Sequence, residues 1–169
     1  PDQSPSRWVI NFFDWALAKA ETYAEPMAIV REKVYPVRAA VNRDAHRKYW
    51  WHYGDKRPAL YEVIASFDRV LVCPQTTKHL SFVYVPNGWV YAHKTIVFAL
   101  AGAHEYASLQ SSFQEAWARK YCSTLETRLS YTPSTAFETF PFPVVNNSEM
   151  LGQVGERYHT HRQQIMLNR

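Results

Sequence analysis

The 169-residue sequence predicts an α+β domain: a twisted mixed or antiparallel sheet flanked by helices. Three observations carry that prediction. Apolar residues recur at three-four spacing in the first third of the chain and again over 106–117 and 148–167. Between these stretches lie "RVLVCP", "LSFVYVP" and "WVYAHKTIVFAL", all rich in β-branched and aromatic residues. Turn residues punctuate the runs, and strands set between helices, some joined by hairpins, make an α+β sheet domain.

In chain order, "RWVINFF" (7–13) predicts a short strand, with Asp14 as N-cap of a helix through "WALAKAETYA". Residues 25–54 predict a mostly helical stretch in which Val34, Val37, Val41 and Ala45 form one buried face. Pro36 interrupts it and Gly54 ends it. A further helix is expected at 58–66, with Pro58 in its first turn and Leu60, Val63 and Ile64 inward. Strands follow at 69–74, 80–86 and 89–100. "QTTKH" (75–79) joins the first pair and "PNG" (86–88) turns between the last two. A helix with Tyr106, Leu109, Phe113, Ala116 and Trp117 at helical spacing precedes a short strand at 123–133, closed by Pro133. The prolines of "FETFPFP" (137–143) predict an extended segment across a hydrophobic surface. "VVNNS" (144–148) reads as a linker, and Leu151, Val154, Tyr158 and Ile165 mark a helix over 148–167.

An apolar fraction of 47% with 15% aromatics excludes a disordered chain. No apolar run approaches membrane-span length, and "PDQSPSRWVINFF" lacks the features of a signal peptide. Cys73 and Cys122 form no CxxC pair, so reduced, buried thiols in a cytoplasmic protein are expected. A net charge of +4 is compatible with a polyanionic partner without requiring one.

Enzymatic constellations are missing from the sequence. It has no GxSxG elbow, no glycine-rich phosphate loop, no HExxH and no nuclease-like grouping of acids with a lysine. His159 and His161 would point in different directions on a helix, which favours solvated or phosphate-facing histidines over a metal pair. No catalytic, cofactor-binding or metal-binding residue is assigned. A small hydrolase would need a pocket around His93 or His104 that no motif announces.

Binding chemistry is better represented. "HRKYWWHYGDKRPALYEVI" (46–64) mixes large rings with positive charge. Arg38, Arg43, Arg47, Lys56 and Arg57 cluster in sequence and could follow a phosphate backbone, with Lys78 and Lys94 as further cations. Composition alone favours a solvated face for these residues, and packing of a helix end for Tyr49, Trp50, Trp51 and Tyr53.

"WWHYGDKRPALYEVIASFDRVLVCPQTTKHLSFVYVP" (50–86) brings a family into view. So do "SPSRWVINF" (4–12), "PMAIVREKVYPVR" (26–38), "LQSSFQEAWARKY" (109–121), "LETRLSYTPSTAFETFPFP" (125–143) and "GERYHTHRQQIM" (155–166). In this order they resemble the target recognition domain of large fused restriction-modification DNA methyltransferases of the type IIG/IIL, MmeI-like kind, and of related phage-defence methyltransferases. The resemblance implies a double-stranded-DNA reader of the target-recognition-domain fold, non-catalytic by itself, over residues 1–145. Residues 146–169 would begin a C-terminal helical segment that is cut short. S-adenosylmethionine, adenine-N6 methylation and any nuclease would belong to the parent, whose methyltransferase domain, in the same or an associated chain, is the protein partner.

The resemblance also places base readers in two segments. In "LETRLSY" they are Glu126, Arg128 and Ser130, on one face if the segment is a strand. Glutamate can accept from a cytosine amino group and arginine can pair with guanine O6 and N7. In "QTTKHLS" they are Thr76, Thr77, Lys78, His79 and Ser81. Without the resemblance, Glu126 and Arg128 read as a solvated ion pair. An alternative assignment is a protein-interaction domain whose Trp/Tyr cluster and "FETFPFP" dock a catalytic subunit without touching DNA.

Overall fold

The computed structural model describes residues 5, 7–144 and 147–168. Residues 145 and 146 of the expected linker, and residues 4 and 6 of the first family motif, lie outside the described residues. Two compact units are present, Pro5–Ala59 and a second starting at Leu60. Both are built from the predicted classes of element, and the α+β class holds.

In the first unit, helices α1 (Leu17–Glu21), α2 (Ala24–Lys33), α3 (Tyr35–Ala39) and α4 (Asp44–Lys48) enclose a small core. Phe12, Ala20, Met27 and Val30 fill it, with Trp15, Val34, Trp50 and Trp51 packed against them. The Trp51 indole N–H donates to the Trp15 carbonyl at 2.8 Å, and His52 Nε2 meets the same oxygen at 2.8 Å. The strand expected at 7–13 does not form. Asn11 Oδ1 accepts the Phe13 N–H at 2.9 Å, and Phe13 takes φ 47°, so an Asx-type turn ends the extended run. Asp14 is not the cap of α1, which starts after Ala16 with no side-chain cap.

The expected buried stripe also fails in part. Val37 is 65% exposed and Ala45 is exposed, while Val34 and Val41 are half-buried. The helix is interrupted at Val34, before Pro36, and stops over 40–43, where extended Arg43 resets the helical phase, so three-four spacing from Val41 to Ala45 no longer marks one face.

The unit boundary falls within α5 (Pro58–Ile64), whose residues from Leu60 on belong with β1 (Arg69–Pro74) to the second unit. On α5, Ile64 is buried and Leu60 half-buried, but Val63 is 57% exposed instead of facing inward. β2 (Thr76–Thr77), β3 (Val83–Pro86) and β4 (Thr95–Phe98) follow. Next come α6 (Ala103–Leu109), α7 (Ser112–Tyr121), β5 (Ser123–Leu125), β6 (Arg128–Ser130), α8 (Pro133–Ala136) and α9 (Ser148–Leu167).

The strands form two small antiparallel sheets, ordered β3-β1-β4 and β2-β6-β5. β1 is central to the first because its apolar run can be buried on both faces. Leu71 and Cys73 join a core with Phe82, Phe98, Tyr106, Leu109, Leu129 and Tyr131, while Val70 and Val72 face Ile64, Val85 and Tyr91. Each fully buried large side chain stabilises the fold by about 1.5–3 kcal/mol.

"PNG" turns the chain, with Gly88 at φ 93°, but makes no β3–β4 hairpin, because both strands pair with β1. Asn87 is committed elsewhere: its Nδ2 donates to the carbonyls of Ile64 (2.6 Å) and Phe67 (2.9 Å). The single helix expected over 106–117 is two, since Ser111 caps α7 by accepting the Gln114 N–H at 3.2 Å. That restart exposes Phe113 (81%) and Ala116, leaves Trp117 half-buried, and buries Gln114 and Ala118. Gln114 Nε2 then donates to the Tyr131 hydroxyl at 2.7 Å and the Ala136 carbonyl at 3.0 Å. The 123–133 segment is a hairpin rather than one strand. "FETFPFP" turns after α8 before it extends, and Phe137 packs on Phe98 at 5.1 Å.

Asn147 caps α9 by accepting the Met150 N–H at 2.9 Å. The helix lies against α6 where Gly155 faces the Ala103 carbonyl. His159, expected in solvent, is half-buried against the rings of Tyr84 and Tyr106, whereas His161 is exposed. Glu156 pairs with Arg69, whose guanidinium lies 3.9 Å from the Tyr84 ring centre.

Candidate nucleic-acid interface

β6 brings the two expected reading segments together. It pairs with β5 on one side and β2 on the other, so "QTTKH" and "LETRLSY" are neighbours in one sheet. Leu129 is fully buried and anchors the strand. Alternation then turns Arg128 and Ser130 to the opposite face. Ser130 lies directly opposite both Thr76 and Ser123, which places three hydroxyl side chains in a row across that face. Thr77 is opposite Leu129 and so belongs to the other face, where its hydroxyl donates to the His79 carbonyl at 2.8 Å. Lys78 and His79 are exposed beyond the end of β2.

Glu126 and Arg128 meet, but not as alternate residues of a strand. Leu125 pairs with Arg128, leaving Glu126 and Thr127 as a two-residue hairpin loop, and Glu126 takes φ 57°. A left-handed conformation in a residue with a Cβ costs about 1–2 kcal/mol. It lifts the carboxylate to the tip of the hairpin, where the side chain is 74% exposed. Arg128 Nη2 donates to Glu126 Oε2 at 2.8 Å. With Arg128 also 47% exposed, this pair adds little to stability. A row of hydroxyls, with an exposed carboxylate–guanidinium pair further along β6 at the hairpin, offers acceptors and donors to a ligand with the same kinds of groups along its edge.

Ser81, also expected among the readers, is held by α9. Arg162 Nη2 donates to its hydroxyl at 2.6 Å and Nη1 to the Phe82 carbonyl at 2.8 Å. Gln110 accepts the Phe82 N–H at 2.9 Å. Lys94 is exposed, and its carbonyl accepts the Gln75 N–H at 2.8 Å, which sets its backbone beside the start of "QTTKHLS".

The other expected phosphate contacts, Arg38, Arg43, Arg47, Lys56 and Arg57, belong to the first unit. Arg43 and Arg47 are exposed, and Arg38, Lys56 and Arg57 are half-buried. Arg47 is paired with Asp44 and donates to the Val41 carbonyl at 3.3 Å, while Arg57 Nε lies 3.6 Å from Asp55 Oδ2. Arg38 and Arg43 converge on His46, which is held below its ordinary value by burial first and then by these two positive charges. Residues 5–59 carry ten Lys and Arg against six Asp and Glu, whereas 60–168 carry eight of each. The basic excess is therefore a property of the first unit.

Sequence reasoning missed Arg119, Arg162 and Gln110, which hold the backbone at Lys78 and Phe82. Only the Glu115–Arg119 spacing was a visible signal, as an i,i+4 pair on a helix. Burial pushes the Cys73 thiol up to about 12, which suits a core residue and not a nucleophile. Among the described residues no three His, Cys, Asp or Glu side chains group as metal ligands, and no helix is long and apolar enough to cross a membrane.

A family model described as "MmeI, target recognition domain" matches residues 3–144. The fold is similar to that of the type IIL restriction-modification enzyme MmeI, solved in complex with DNA, with a TM-score of 0.72 and 18% identity. The match covers 86% of this chain but 20% of that one, so the chain spans one fifth of that enzyme's length. Among curated proteins, none matches the sequence.

Proposed function

The chain belongs to the MmeI target recognition domain family, and from that premise we propose that it reads double-stranded DNA in a restriction-modification methyltransferase. The observation that carries the proposal is the convergence of Thr76, Ser130 and the Glu126–Arg128 pair on one small sheet. On a duplex, Arg128 would take guanine O6 and N7, Glu126 a cytosine amino group, and the hydroxyls whichever edge faces them. Lys78 and His79 would reach from the adjoining loop. Lys94 and the arginines and lysines of the first unit would hold phosphates, setting register without choosing sequence.

In this reading the chain contributes recognition and no bond-making step, and it works in the cytoplasm. Adenine-N6 methylation and S-adenosylmethionine binding are assigned to the parent's methyltransferase domain, in the same or an associated chain. The residues here do not fit that cofactor: Gly152 and Gly155 are used to pack α9 on α6, Gly102 starts α6, and Gly88 serves a turn. The docking alternative is less well supported, because Trp50, Trp51 and Phe137 are partly buried against the cores of their own units.

The test exchanges both readers, Glu126→Arg with Arg128→Glu, in the parent enzyme and maps the modified sequence. The proposal expects one position of the recognised sequence to change while methylation persists at the new site. An unchanged target with intact activity would remove the pair from the readers.

A further inference from the structure

Resting on that reading, we propose that Arg119 is a positioning residue for base recognition, acting through the backbone of the loop that carries Lys78 and His79. Arg119 lies on α7, remote in sequence from the loop, and its Nη2 donates to the Lys78 carbonyl at 3.2 Å. Its own direction is set by Glu115 one turn earlier, whose Oε1 accepts from Nε at 2.9 Å and from Nη2 at 2.7 Å. Both side chains are more than two-fifths exposed, so the ion pair itself adds little stability. Its effect is geometric: a planar guanidinium already held by a carboxylate loses less freedom when it also grips a carbonyl.

The loop needs that grip. Ladder pairing ends at Thr77, and the chain is next anchored in the core at Leu80. Between them the Thr77 hydroxyl holds the His79 carbonyl and Arg119 holds that of Lys78. Fixing the Lys78 carbonyl fixes the peptide plane shared by Lys78 and His79, and therefore the directions in which both side chains leave the backbone. A base edge is read only by donors and acceptors already aimed at it.

Arg119→Ala, Arg119→Lys and Glu115→Gln would be compared with the unaltered protein by three measurements. These are amide exchange at residues 78–80 without DNA, selection from a pool of randomised duplexes, and affinity against salt. Arg119→Ala should speed exchange at 78–80 and lower discrimination at the base positions served by the loop roughly tenfold. Positions served by Glu126 and Arg128 should keep their preference. Glu115→Gln should move both readouts in the same direction by less, and it remains informative if Arg119→Ala fails to fold. Arg119→Lys should recover part of the exchange protection but not the full preference, since one ammonium lacks the fork.

Faster exchange with an unchanged selected sequence would make Arg119 merely structural and overturn the proposal. A uniform loss of affinity, with a salt slope smaller by about one and the same selected sequence, would make it a phosphate contact and overturn it too. If the unaltered protein selects no sequence, the DNA reading of the preceding subsection fails before any variant is compared.

Discussion

His159 shows how much a single side chain depends on its surroundings. It stands between the rings of Tyr84 and Tyr106, and its pKa lies below the ordinary 6.5. Burial is the main cause. Glu156 opposes the shift, while Arg69 and Arg162 reinforce it. A depressed histidine lets the unfolded chain take up a proton that the folded chain refuses. Stability is therefore unaffected above the unfolded value, falls as pH drops below about 6.5, and levels off once pH passes the folded value. Denaturant midpoints measured across this range should show that acid-side decline in the unaltered protein and a smaller one in His159→Phe. Equal slopes would assign the decline to other groups. Glu126 makes the complementary point: its positive φ and exposed carboxylate place backbone cost at the pair proposed to read bases, as functional loops often do.

Among the elements, the α6–α9 contact is the one most tightly specified. Gly155 is buried in it, and a methyl group there would fall inside the van der Waals envelope of the Ala103 carbonyl oxygen. Backbone cannot yield as a side-chain tip can, so Gly155→Ala should cost about 3 kcal/mol, seen as a lower thermal midpoint. The consequence reaches residues 81–82, since α9 also carries Arg162, which holds Ser81 and Phe82. Gly155→Ala should consequently speed amide exchange at 81–82 as well as lowering the midpoint.

For the molecule as a whole, charge and the proposed recognition chemistry are divided between units. The excess of Lys and Arg lies in 5–59, and the hydroxyl row with the Glu126–Arg128 pair lies in the balanced remainder. Phosphate affinity and base choice should then be separable by mutation. Arg43→Gln combined with Arg47→Gln should weaken binding to all duplexes alike, and each phosphate left without its cation should reduce the slope of log affinity against log salt by about 0.9. Anisotropy titrations at several salt concentrations check this. A changed sequence preference with an unchanged slope would place these arginines among the readers.

By itself the sequence determined the α+β class, the strand at 69–74, a strand within 80–86 and the helix over 148–167. Local composition and periodicity are sufficient for these because each element's own residues dictate it. Only the tertiary structure decided that β1 separates β3 from β4, that "QTTKH" pairs with "LETRLSY", and that Glu126 sits in a hairpin turn. It also decided that Ser81 is bound to Arg162 and that Arg119 holds Lys78. Strand order, register and long-range hydrogen bonds depend on which surfaces meet once the core closes, and no window of neighbouring residues contains that information.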